Sequence, residues 1–105
     1  MTGSELIAKE RQRQVSVEDW TPKHDEQHTN GELGKAAINY IRFAVECEVG
    51  RNYQRRHGHT PNGWPWHYVW WKPSLDNSEE CRIRELTKAG ALIAAEIDRL
   101  NRRTP

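Results

Sequence analysis

The chain has 105 residues, 35% of them hydrophobic and 30% charged, and a formal net charge of +1. That length suits one domain with a single modest core, and 16 basic residues against 15 acidic ones exclude a long nucleic-acid surface that gains affinity by neutralising many phosphates. The N-terminus lacks an apolar run with basic flanks, and no stretch reaches the roughly 20 apolar residues of a membrane span, so a cytoplasmic protein without a membrane partner is expected. The shortage of apolar residues makes a homo-oligomer the expected state.

A first helix is predicted over about residues 4–19, capped by Ser4, with Leu6, Ile7, Glu10, Arg11, Gln14 and Val15 at helical spacing. Pro22 ends it near Trp20. The polar stretch Thr21–Asn30 is rich in turn formers, and Thr29 or Asn30 is placed to cap a second helix over about 31–49. Leu33, Ala37, Tyr40, Ile41 and Ala44 form its stripe, and Gly50 is its expected stop. The regular pattern is lost over about 51–77, a long connection of the kind that often carries function.

A last helix over about 78–102 starts at Ser78, followed by Glu79 and Glu80. Its residues Ile83, Leu86, Gly90, Ile93, Ile97 and Leu100 alternate spacings of three and four, the narrow seam of a helix lying almost parallel to a neighbour, within the chain or across a dimer. The expected fold is therefore all-α: a single domain, a small bundle of three main helices with a long Trp-rich connection between the second and third. Cys47 and Cys81 have no metal-type spacing and read as reduced packing residues.

Four of the five tryptophans, Trp64, Trp66, Trp70 and Trp71, lie within eight residues of that connection, in a segment bounded by Gly63, Pro65 and Pro73. So many indoles in an irregular segment either cap the open end of the bundle or wall a pocket. The run from Arg51 to His59 leading into them interleaves basic and aromatic groups, the combination that stacks a base and meets its phosphates. Arg11 and Gln14 share one helix face beside apolar residues, which directs polar heads inward or toward a ligand. His24, Asp25, His28 and Glu32 are a candidate set for a divalent metal, or else capping groups that fix the link between two helices. No Gly-x-Ser-x-Gly turn, phosphate-cradling glycine loop or paired Cys-x-x-Cys occurs, which disfavours a nucleophilic hydrolase or a P-loop enzyme.

Taken as a set, Glu10-Arg11-x-Arg13-Gln14, Glu18-x-Trp20-Thr21, His24-Asp25-x-x-His28, Gly31-Glu32-Leu33, Trp64-Pro65-Trp66, Trp70-Trp71-Lys72-Pro73 and Arg84-Glu85-Leu86-x-Lys88-Ala89-Gly90 resemble a family of small bacteriophage and prophage proteins, over about residues 5–102. That family is distantly similar to the MazG-like all-α nucleotide pyrophosphohydrolases, oligomeric bundles that bind magnesium through Glu-x-x-Glu on one helix and Glu-x-x-Asp on the next. This chain departs from that pattern: Glu46 and Glu48 are two apart, and Glu85 is followed by Lys88 where an aspartate is expected. The resemblance implies a bundle that keeps a preference for nucleotides and has lost the magnesium chemistry.

The expected function is a phage accessory protein in the host cytoplasm that binds a nucleotide or nucleotide-derived signal without catalysis and sequesters it from host defence. Arg11, Gln14, Trp20, His24, Asp25, His28, Trp64, Trp66, Trp70, Trp71 and Lys72 are its candidate ligand-binding residues, with no catalytic residue and no required cofactor, although a divalent metal remains an option. The alternatives are a protein-binding inhibitor of a host enzyme, with the tryptophans as anchors, and a metal-dependent nucleotide pyrophosphohydrolase using His24, Asp25, His28 and Glu32.

Overall fold

The structure is a computed structural model that describes residues 1–57 and 60–103; His59 of the basic and aromatic run lies outside the described residues. The fold is all-helical, with five α-helices and no strand among the described residues: α1 (Gly3–Ser16), α2 (Pro22–Asp25), α3 (Glu32–Val45), α4 (Glu48–Arg56) and α5 (Glu79–Arg103), plus one 3-10 turn at Tyr68–Trp70. Among the described residues no helix is long and apolar enough to cross a membrane. Helix α5 packs against α3, α1 and α2. The core lies between α3 and α5, where Leu33, Ala36, Ala37 and Tyr40 meet Ala89, Leu92 and Ala95. The alanines bring the two helices close, and Trp20, Ile41, Trp64, Trp66 and Trp71 cover the cluster.

The helix ends differ from the sequence-based expectation, each for a local reason. Thr2, not Ser4, caps α1, in a reciprocal box with Glu5. Helix α1 stops at Ser16 instead of near Trp20: Asp19 takes a left-handed conformation (φ 60), and the Trp20 N–H turns back to the Gln14 carbonyl at 2.9 Å. The polar stretch that follows contains α2, capped by the Thr21 side chain with Pro22 in its first turn. Neither Thr29 nor Asn30 caps α3; left-handed Gly31 (φ 76) precedes it without a side-chain cap, and the Glu32 carboxylate accepts from the Asn30 N–H. Ser78 does cap α5, its hydroxyl accepting from Cys81 N–H at 3.1 Å.

The expected helix over 31–49 is in fact two. Helix α3 ends at Val45 because arginines take its last carbonyls: Arg82 Nη1 donates to both Ala44 O and Glu46 O at 2.7 Å, and Arg51 Nη1 donates to Phe43 O at 2.7 Å. Those acceptors are then satisfied without a further turn. Gly50 sits inside α4 instead of ending a helix, and a Cβ there would lie 2.5 Å from Glu46 Cγ.

The expected seam of α5 is not the face that this chain buries. Within the chain its close packing is made by the adjacent stripe of Glu85, Ala89, Leu92, Ala95 and Arg99, while Ile83, Leu86, Ile93, Ile97 and Leu100 stay 41–52% exposed. Gly90 of the seam lies close to α1; a Cβ there would lie 2.6 Å from Ile7 Cδ1.

Arg51 and Glu85 hold this arrangement together. The guanidinium is 0% and the carboxylate 1% exposed, and Arg51 donates to Glu85 Oε1 at 2.6 Å and Oε2 at 2.9 Å. Its remaining donors reach Phe43 O, Asp76 O and Asn77 Oδ1 at 2.7–2.8 Å, and it lies 4.3 Å from the Phe43 ring centroid. Removing one partner of such a pair strands a buried charge. Glu85→Ala is therefore expected to destabilise the fold by about 3–5 kcal/mol, and Arg51→Met/Glu85→Leu by less than either single change, as measured by urea denaturation.

Candidate functional site

The site begins where α1 turns back on itself. Arg11 Nη1 donates to the Trp20 carbonyl at 3.2 Å and Nη2 to Asp25 Oδ2 at 2.7 Å. Asp25 is 0% exposed, so this pair staples the 20–25 segment to α1 from behind and sets the Trp20 ring on the outer side. There Trp20 stacks on His24 at 6.3 Å and 5° and leans on Trp66 at 6.2 Å. His28 lies 5.0 Å edge-on from His24 and 5.1 Å from Trp66, and is held by Glu32 at 3.3 Å.

The clustered tryptophans divide between two roles. Trp71 packs on Tyr40 at 4.9 Å and Phe43 at 5.8 Å, and Trp64 meets Tyr40, Trp66 and Trp71 at 5.1–5.9 Å, so these two extend the core. Left-handed Gly63 (φ 86) and the bond from Trp64 N–H to Pro61 O form the turn that permits this. Trp66 and Trp70 form a second layer with Trp20.

That layer lines two adjoining hollows. The larger, about 390 Å³, has Trp20, Trp66 and Trp70 as aromatic walls, with His24, His28 and His67 as its polar edge. The smaller, about 30 Å³, shares Glu18 and the same three indoles and is completed by Gln14, Tyr40, Trp64, Lys72 and Lys88 among others. Around the smaller hollow Arg13 binds both acids, donating to both Glu10 oxygens at 2.7 and 2.9 Å and to Glu18 at 3.1 Å. Burial raises the Glu10 carboxyl, but the Arg13 hydrogen bonds and charge outweigh it, so the net shift is downward.

Lys88 lies 5.5 Å above the Tyr40 ring and Lys72 lies 5.8 Å from the Trp70 ring. Neither makes a salt bridge among the described residues. Burial pushes the Lys88 ammonium below its ordinary value, an effect that Glu10 opposes and Lys72 adds to. Gln14 is 2% exposed with Oε1 unpartnered, and the Trp66 indole nitrogen is buried and unpartnered.

Of the residues expected from sequence, Gln14, Trp20, His24, His28, Trp64, Trp66, Trp70 and Lys72 line these hollows. Arg11 and Asp25 stand behind the wall as positioning groups, and Trp71 lines a separate hollow of about 240 Å³ beside Asn39 and Arg42. The four candidate metal ligands are not gathered: Asp25 is engaged by Arg11 and Glu32 by His28, and among the described residues no three His, Cys, Asp or Glu are arranged to hold an ion. Arg51 and Arg55, expected near a ligand, instead bind the backbone and side chains of residues 74–77. Sequence reasoning missed Glu18, Tyr40, His67 and Lys88 as lining groups. Lys88 carried a signal in its displacement of an expected acid; Tyr40, on an apolar stripe, carried none. Compared with known proteins, the chain matches no family model, no curated protein and no solved structure.

Arg11→Ala leaves Asp25 buried and unpaired, and is expected to cost about 3–5 kcal/mol in urea denaturation. Burial raises the Tyr40 hydroxyl from about 10 to about 12. Because the folded state holds this proton more tightly than the unfolded chain, the stability it contributes is complete below pH 10 and is lost as the pH rises toward 12. Absorbance at 295 nm should show a phenolate step near pH 12 that Tyr40→Phe removes.

Proposed function

We propose that the protein binds a nucleotide or nucleotide-derived signal without transforming it, as a phage accessory protein that withholds the ligand from a host defence pathway. One observation carries the binding reading: Trp20, Trp66 and Trp70, brought together from distant parts of the chain, wall a cleft of about 390 Å³ edged by histidines. That volume is in the range of small-molecule sites, and stacking of a base on an indole contributes about 1–3 kcal/mol. The phage setting rests on the family resemblance. The absence of catalysis is supported by the pairing of the nearby acids, since Glu10 and Glu18 are engaged by Arg13, Asp25 by Arg11 and Glu85 by Arg51. A metal-dependent hydrolase at His24, Asp25, His28 and Glu32 gains no comparable support.

A second reading, an inhibitor that binds a host enzyme, is favoured by the 3-10 turn, where Tyr68, Val69 and Trp70 are exposed beside an exposed Leu75. Such aromatic residues are the anchors that dominate protein interfaces. In both readings the protein is a homo-oligomer, paired through the exposed α5 stripe of Ile83, Leu86, Ile93, Ile97 and Leu100, whose heptad-like spacing suits a helix of the same kind opposite.

Calorimetry and indole fluorescence against a panel of nucleosides, nucleotides and cyclic nucleotides should detect binding that Trp66→Ala weakens by about tenfold. Silence across the panel, with capture of a single host enzyme through Trp70 and Tyr68, would transfer the function to the second reading. Sedimentation equilibrium should find an oligomer that Leu86→Asp/Ile97→Asp converts to monomer.

A further inference from the structure

The small hollow beside the aromatic cleft has a chemistry of its own. Its charged lining consists of Glu10, Glu18, Arg13, Lys72 and Lys88. Arg13 binds both oxygens of Glu10 and one of Glu18; the lining as a whole keeps a net positive charge, and neither ammonium makes a salt bridge among the described residues. Lys88 is half-buried against Tyr40, and Lys72 is near enough to act on its charge. The Lys72 backbone N–H donates to the Tyr40 hydroxyl at 3.4 Å, so one tyrosine joins both lysines.

Two of the residues that line it also carry an unsatisfied neutral group. The buried Trp66 indole N–H is a donor without an acceptor, and Gln14 Oε1 is an acceptor without a donor, because the Gln14 amide nitrogen is already given to Glu10 at 3.2 Å. An anion answers the lysines and the indole N–H, and a hydroxyl answers Gln14. The hollow's volume of about 30 Å³ suits a group of a few atoms and not a ring.

We propose that this hollow is a phosphate subsite, in which Lys72, Lys88 and the Trp66 N–H hold the phosphate of a sugar phosphate whose hydroxyl meets Gln14 and whose base lies in the larger cleft. The assignment rests on the nucleotide reading above. Phosphate is preferred to carboxylate because it has enough oxygens to accept from both ammonium groups and the indole N–H together, where a carboxylate has two.

The test compares adenosine, adenosine monophosphate and inorganic pyrophosphate by calorimetry at low and at 0.5 M salt, on the wild type and on Lys72→Gln, Lys88→Gln, their double variant and Lys88→Arg. Circular dichroism and melting curves verify that each variant is folded. In the wild type the monophosphate should bind at least about tenfold tighter than the nucleoside, and salt should reduce that advantage. Each glutamine variant should reduce it and the double variant abolish it; Lys88→Arg should retain most of it. Equal affinities for nucleoside and monophosphate, unchanged in the double variant, would overturn the subsite and leave the aromatic cleft standing. Pyrophosphate binding that is lost in the double variant, with no binding of nucleoside or nucleotide, would keep the subsite and overturn the nucleotide reading. No binding of any of the three would overturn both.

Discussion

The five N–H donors of Arg51 meet five acceptors drawn from three regions of the chain: Phe43 O at the end of α3, Asp76 O and Asn77 Oδ1 before α5, and the two oxygens of Glu85 within α5. A planar guanidinium presents those donors in a fixed fork, so satisfying all of them sets the mutual positions of the elements that carry the acceptors. The break between α3 and α4, the return of the chain from the tryptophan segment and the register of α5 all meet at this one side chain. With only 35% of its residues apolar, the protein replaces part of a hydrophobic core with a saturated ion pair. In a low-dielectric interior such a pair contributes a unique geometry more than net stability.

The same device recurs near the site at smaller scale. Arg11 joins α1 to the Trp20 carbonyl and to buried Asp25, Arg13 gathers Glu10 and Glu18, and Arg102 ties the end of α5 to Glu26 and Pro22 of the α2 region. Each arginine consumes an acid that would otherwise be free to take part in chemistry. Trp20 can then serve both the core and the cleft, because the segment that bears it is held from behind by Arg11. Trp64 and Trp71 pack against Tyr40.

The helical class was legible because apolar residues recur at three and four over most of the chain, and Ser78 marked the start of the last helix correctly. The break at Glu46 was not legible, since its cause is Arg82 and Arg51 reaching carbonyls from 38 and eight residues away. Likewise the α5 seam of Ile83, Leu86, Ile93, Ile97 and Leu100 stands out in the sequence as the most regular apolar pattern, yet the chain buries the adjacent face, where Glu85 and Arg99 interrupt the alanines. Periodicity identifies which residues share a stripe; it does not say which stripe the rest of one chain is long enough to cover. For the site, the tryptophans and histidines were visible from their density, whereas the choice between an inward and a ligand-facing role for Arg11 and Asp25 was not, because an ion pair behind a wall and one lining it leave the same trace in sequence.

Lys88 is where the demands of the fold and of the site diverge. Burial lowers its folded-state pKa below the ordinary lysine value, so the charged form opposes folding at neutral pH, and that opposition fades only as the pH rises through the folded-state value. Glu10 is near enough to relieve it but is committed to Arg13 by two short bonds, and a methionine of similar length would fill the same space against Tyr40 without a charge. An ammonium retained in that position carries a standing cost that Glu10 offsets only in part. A bound anion would remove it, and since whatever binds only the folded state also stabilises it, occupancy of the hollow and stability of the bundle are coupled through this one side chain.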